Sequence, residues 1–168
     1  QADNRDGDWT DAQPTGALDI DIPVDASQPE WAASTGRRPR VMVAEDDRTM
    51  VRTLEWLFDH YGFEVHTSSD GVDLIDQLRP AVLGDPTGWQ PDLLVADIGL
   101  PGVDGLYVLE SLRELRWEAP IIVLTGFSDR RTRQRIEQLD QTYYLHKPVG
   151  AEQLVATARQ ALDGHSHD

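Results

Sequence analysis

The chain has 168 residues, about one domain at the usual ~100–200 residues each, so a fused multidomain enzyme is disfavoured. Thirty acidic residues against fifteen basic ones leave a formal charge of −15, which opposes non-specific attraction to nucleic acid or anionic lipid and suits a basic partner or a cation. The absence of cysteine excludes disulfide frameworks, thiolate metal sites and thiol nucleophiles, and apolar runs such as Pro120–Leu124 fall far short of the ~20 residues of a membrane helix, so a soluble, cytoplasmic protein is expected.

Residues 1–36 carry eight acidic residues and one basic one, a net −7 of the −15, with Pro14, Pro23 and Pro29 among them. That composition predicts an acidic tail or linker over residues 1–38, disordered or loosely docked. Within it Leu18, Ile20, Ile22 and Val24 alternate with Asp19, Asp21 and Pro23, a period-two pattern compatible with an edge strand. From Arg40 the pattern becomes a βαβα rhythm. Strands are predicted at Val41–Ala44, Phe63–Thr67, Leu93–Ala96, Ile121–Leu124 and Tyr143–His146, three of them almost continuously apolar, as in a parallel sheet buried on both faces. The first helix is read from Met50, Val51, Leu54, Leu57, Phe58 and Tyr61 at spacings of three and four, closed by Gly62. Further helices are predicted over Val72–Leu83, Leu106–Leu115, Arg130–Leu139 and Glu152–Leu162. Five βα units give an α/β, doubly wound, five-stranded parallel sheet with helices on both faces, over residues 39–165, with 166–168 a C-terminal end.

Such sheets bind ligands beyond the carboxyl ends of their strands. The first strand ends in Glu45-Asp46-Asp47, the third in Asp97, the fourth in Thr125 and the fifth in Lys147-Pro148. If the strands are parallel and in register, Glu45, Asp46 and Asp97 converge, and two carboxylates ~5 Å apart repel by roughly 3 kcal/mol at an effective dielectric near 20. A hard divalent cation with oxygen ligands, Mg²⁺ or Mn²⁺, answers that repulsion. Lys147 is the only lysine of the chain, every other basic residue being arginine, so this position calls for a compact ammonium rather than a planar fork.

With these residues placed, the stretches Val41–Asp47, Leu94–Leu106, Ile122–Gly126 and Tyr144–Pro148 resemble, in order and with natural spacing, the receiver domain of two-component response regulators. The resemblance runs from about Arg40 to Leu162 and implies the flavodoxin-like strand order 2-1-3-4-5. It also implies Asp97 as acceptor of a phosphoryl group from a histidine kinase or histidine phosphotransfer protein. Glu45 and Asp46 would hold Mg²⁺ together with Asp97 and the Gly99 backbone carbonyl, while Thr125 and Lys147 would meet the phosphoryl oxygens. A switch pairing Thr125 with Tyr144, and a cis peptide bond at Pro148, are implied likewise. On this reading the chain is a phosphoacceptor signalling domain that catalyses only its own phosphorylation and dephosphorylation, in a phosphorelay. A receiver module excised from a hybrid histidine kinase or larger regulator is the alternative.

Gly99, two positions after the acceptor, and Phe127, two after the threonine, offer no side chain that could hold a hydrolytic water, so slow self-dephosphorylation is expected. In the fourth helix Arg130, Arg131, Arg133 and Arg135 crowd a stretch anchored by Ile136 and Leu139. We expect an output face around helix 4, strand 5 and helix 5, available to a downstream protein partner, a fused output domain or a second copy. No direct nucleic-acid contact is expected, since no DNA-binding helix pair follows Leu162. Asp19-Ile20-Asp21 is reminiscent of an Asp-dependent phosphatase nucleophile but lacks a buried strand before it, and Asp97 is followed two residues on by Gly99 rather than a second acid. Trp56 and Trp117 are read as packing residues, His165 and His167 as part of a frayed terminus. The connection Leu83–Pro91 has no functional reading.

Overall fold

The computed structural model describes residues 36–126 and 129–165. The period-two pattern of Leu18–Val24, most of the acidic tail, Phe127 and His167 therefore lie outside the described residues. Ten elements alternate along the chain: β1 (Arg40–Ala44), α1 (Arg48–His60), β2 (Glu64–Ser68), α2 (Gly71–Val82), β3 (Leu93–Ala96), α3 (Gly105–Glu114), β4 (Ile121–Thr125), α4 (Arg130–Glu137), β5 (Thr142–His146) and α5 (Ala151–His165). The strands form one parallel sheet in the order β2-β1-β3-β4-β5. Among the described residues no helix is long and apolar enough to cross a membrane.

β3 and β4 are buried throughout, and β1 from its second residue, which is why these stretches lack polar alternation. Their side chains feed two cores. Val41, Val43, Val95, Ile122 and Leu124 pack with α1 and α5 on one face, while Met42, Ala44, Leu94, Ala96 and Val123 pack with α2 and α3 on the other.

Helix starts are set by a repeated device. Asp47, Asp70, Asp104 and Asp129 each cap a helix by accepting backbone N–H groups of its first turn. Asp47 is thereby spent on α1, through Met50 N at 2.8 Å, and separated in role from Glu45 and Asp46. α1 ends where Gly62 takes φ 87°, with its N–H on Asp59 O and that of Phe63 on Phe58 O, a closure that favours glycine. Because the Phe63 amide is used there, β2 begins at Glu64, one residue later than the apolar pattern predicts. Before α3 the backbone at Gly105 runs so close to Ile98 that a Cβ would meet its carbonyl oxygen at 2.5 Å.

The Leu83–Pro91 connection is held by Trp89, whose ring stacks on His66 at 3.9 Å and whose Nε1 donates to Glu64 Oε1 at 2.6 Å. Trp117 is buried, and Trp56 packs at the edge of the α1 core. His165 is engaged, with Nδ1 3.0 Å from Gln141 Oε1.

Candidate functional site

The order 2-1-3 means that the chain leaves β1 toward one edge of the sheet and enters β3 on the other side, so the carboxyl ends of β1 and β3 flank a switch point with no crossing connection above it. Register pairs Ala44 with Ala96, so the residues that follow each strand emerge side by side. Glu45 and Asp46 follow β1, Asp97 follows β3, and their carboxylate oxygens lie within 4.8 Å of one another. Glu45 is buried, Asp97 half-buried and Asp46 exposed.

Lys147, at the end of β5, reaches across β4 into this group. Its backbone N–H donates to Thr125 O at 2.9 Å, which fixes where the side chain departs. The ammonium donates to Glu45 Oε2 and to Asp97 Oδ2, each at 2.7 Å. The Lys147–Pro148 peptide bond is cis. Asp97 Oδ1 accepts the Gly99 N–H at 2.7 Å, and Glu45 Oε1 accepts the Asp47 N–H at 3.1 Å, so both carboxylates are oriented by backbone as well as by the ammonium.

Burial pushes the Glu45 carboxyl above the ordinary range, although Lys147 and the Asp47 amide pull it back. Burial would also lower the Lys147 ammonium, but hydrogen bonds and charge from Asp97 and Glu45 outweigh it, and its pKa is raised. Both shifts run upward in an oppositely charged pair because burial dominates at the carboxylate and the two acids dominate at the amine. One ammonium faces three carboxylates whose donor atoms are all oxygen, a set that fits a hard divalent cation and offers nothing to a soft one.

Thr125 ends β4, fully buried, and Tyr144 lies half-buried in β5 beside it, paired in register with Val123. Two features here were not anticipated. The Arg133 guanidinium sits 5.4 Å from the centroid of the Tyr144 ring and bonds Glu137 at 2.8 Å. Arg135 forms a two-pronged pair with Glu110 of α3, at 2.9 and 2.7 Å. Of the four crowded arginines, two are thus engaged within the fold. A charge run carries a weak signal for the contacts to Tyr144 and Glu110, since those partners lie on other elements. Ile136 is the buried residue of α4.

Comparison with known proteins agrees with this arrangement. The family model for the response regulator receiver domain matches residues 41–159. The curated protein Response regulator MprA of Mycobacterium avium is 33% identical over 125 residues, covering 73% of this chain and 50% of that protein, and its counterpart from Mycobacterium tuberculosis gives the same figures. The chain spans about half the length of these curated relatives. In fold it is similar to a CheY-like response regulator receiver domain protein from Methanospirillum hungatei, with TM-score 0.67 and 20% identity over 77% of this chain and 97% of that one. It is likewise similar to the chemotaxis response regulator CheY4 of Vibrio cholerae, with TM-score 0.63 and 20% identity over 74% of this chain and 99% of the other. A five-stranded sheet of order 2-1-3-4-5 and a family match over most of its length place this chain in the response regulator receiver domain family of two-component signalling.

Proposed function

We propose that Asp97 is the phosphoacceptor of this domain, that it reacts with Mg²⁺ bound beside it, and that the modification is read on the face formed by α4, β5 and α5. The observation that carries the reading is the meeting of Glu45, Asp46 and Asp97 from two strand ends with the chain's single lysine on two of them.

Asp46 and Asp97 would hold the ion through carboxylate oxygens, with the Gly99 carbonyl and Glu45 completing the set. When bound, Mg²⁺ supplies positive charge to the phosphoryl oxygens as they pass in line from donor to acceptor. One Asp97 oxygen forms the new O–P bond while the bond from phosphorus to the donor breaks, and the electron pair leaves with the donor. Lys147 neutralises charge on the acceptor side, and the Gly99 N–H keeps the carboxylate turned for attack. The aspartyl phosphate adds nearly two negative charges next to buried Thr125, whose hydroxyl would turn to meet the new oxygens, and Tyr144 would move with it.

The donor is a histidine kinase or a histidine phosphotransfer protein, and the output is a protein partner, a fused output domain or a second copy. α4 suits a switching element, because one buried residue secures it. Residues 39–165 would form the receiver unit, and 1–38 an acidic tail or linker. Incubation with Mg²⁺ and acetyl phosphate, followed by intact mass, tests the reading. A gain of one phosphoryl group that disappears in Asp97→Asn is expected, and no gain would overturn it.

A further inference from the structure

The large apolar side chains that are strongly exposed among the described residues all lie on one helix pair: Val72 (53%), Ile75 (41%) and Leu83 (75%) on α2 and its C-cap, Tyr107 (66%) and Leu115 (62%) on α3 and its C-cap. All of these but Val72 border a groove of about 310 Å³ between the two helices, walled by Ile75, Val82, Leu83, Val103, Tyr107 and Leu115. Exposed apolar side chains gathered on one face, rather than scattered singly, form a candidate docking surface. It is separate from the phosphoacceptor group at the strand ends and from the α4, β5 and α5 face.

We propose that the groove between α2 and α3 is covered by the chain's own segment Leu18–Val24. The sequence before Gly36 holds one stretch of the matching character, with Leu18, Ile20, Ile22 and Val24 on one side and Asp19, Asp21 and Pro23 on the other. In extended form it would span about 20 Å, enough to cover the about 12 Å from Ile75 to Leu83 along the α2 wall of the groove. A side-chain-in-groove contact requires no backbone ladder, so Pro23 is tolerated where a central strand would reject it.

The chain's point of entry favours this occupant. The Arg37 guanidinium grips Asp92, at 2.8 Å through each nitrogen, and the Arg40 N–H bonds the same carboxylate at 2.7 Å. Asp92 lies just before the central strand β3, at the amino-terminal rim of the sheet, the end at which α2 also finishes. The described chain therefore begins at the same end of the molecule as the Leu83 and Leu115 end of the groove. The twelve residues 25–36 can extend about 40 Å, enough to seat the segment anywhere along it. Tethering keeps the effective concentration high, so a modest contact suffices.

Electrostatics acts against docking rather than for it. The tail carries −7 through residue 36 and the remainder −8, while Arg79 on the groove wall is already paired with Asp76 at 2.6 Å. Apolar contact must hold the segment against like-charge repulsion, and salt, by screening that repulsion, strengthens the contact.

The absence of native cysteine makes the test clean in the full chain. Ile22→Cys combined with Leu83→Cys is compared with Ile22→Cys combined with Gln160→Cys, an exposed site near the same end of the molecule but on the opposite face of the sheet. The 22–83 disulfide is expected to form about tenfold faster, independently of protein concentration, to form faster still at raised salt, and to lose its advantage in Tyr107→Asp. Equal rates for the two pairs would overturn the proposal. So would a 22–83 pair that forms only between molecules and scales with concentration, which assigns the groove to a second copy. A slower reaction at raised salt would contradict the apolar basis of the contact.

Discussion

Lys147 and Asp97 stand fifty positions apart in the chain, yet Nζ of one lies 2.7 Å from Oδ2 of the other. The same ammonium binds Glu45, 102 positions away, at the same distance. Replacing it by alanine leaves a buried and a half-buried carboxylate facing each other without their shared cation. Lys147→Ala is expected to slow phosphorylation by acetyl phosphate about 100-fold, the scale of losing one positioned charge at a reacting oxyanion. It is also expected to lower stability by about 3 kcal/mol, the lower end for breaking a buried pair, since the side chain retains some exposure. Stopped-flow phosphorylation and urea unfolding measure the two losses separately.

Metal binding provides a readout that needs no phosphodonor. An ion held by the folded protein and not by the unfolded chain raises stability by about 2.7 kcal/mol at a hundredfold excess over its dissociation constant. Thermal melting should therefore shift upward with Mg²⁺ and follow its concentration. Asp46→Asn, at an exposed position, should remove most of the shift and, without metal, melt at or above the parent's temperature, because one of three mutually repelling carboxylates is gone. A shift that persists in that variant would place the ion elsewhere.

The phosphorylated lifetime should be long for the family. Hydrolysis needs a water held in line, and neither Gly99 nor Phe127 has a side chain to hold one. Gly99→Asn combined with Phe127→Glu should shorten the lifetime about 100-fold, the lower end of what a positioned polar group contributes, measured by loss of phosphoryl mass over time after donor removal. An unchanged decay would assign the lifetime to other parts of the site.

Acid should loosen the connection between α2 and β3. The Glu64 carboxyl is held below its ordinary value of 4.5, first by the bond from Trp89 Nε1 and further by Arg40. A depressed folded-state value means that this contribution is fully present above pH 4.5 and is lost as the pH falls through the folded value. Wild type should thus be more stable than Glu64→Gln near neutrality, with the difference shrinking toward zero on strong acidification, in denaturant titrations across that range.

The fold was legible because β1, β3 and β4 are buried on both faces and therefore apolar without interruption, and because aspartates cap four helices at positions where the apolar period begins. Convergence of Glu45, Asp46 and Asp97 was legible for the same reason, since a parallel sheet in register leaves strand ends at one rim. Lys147 stood out as the chain's single lysine. That it divides itself between Glu45 and Asp97 was not readable, because two bonds from one ammonium depend on the depth at which Glu45 is buried. The stack of Trp89 on His66 and the position of Arg133 over Tyr144 escaped for a related reason: each joins elements whose spacing is fixed by packing rather than by local pattern. The apolar face of α2 and α3 was hidden in plain periodicity, because an amphipathic helix reads alike whether its second apolar edge is covered or bare.

The claim on which the rest depends is that Asp97 itself carries the phosphoryl group. Borohydride reduction of an aspartyl phosphate yields homoserine, which leaves a permanent mark on the acceptor. After treatment with Mg²⁺ and acetyl phosphate, reduction and peptide mapping should place homoserine at position 97. Homoserine at another aspartate, or at none, would contradict the account.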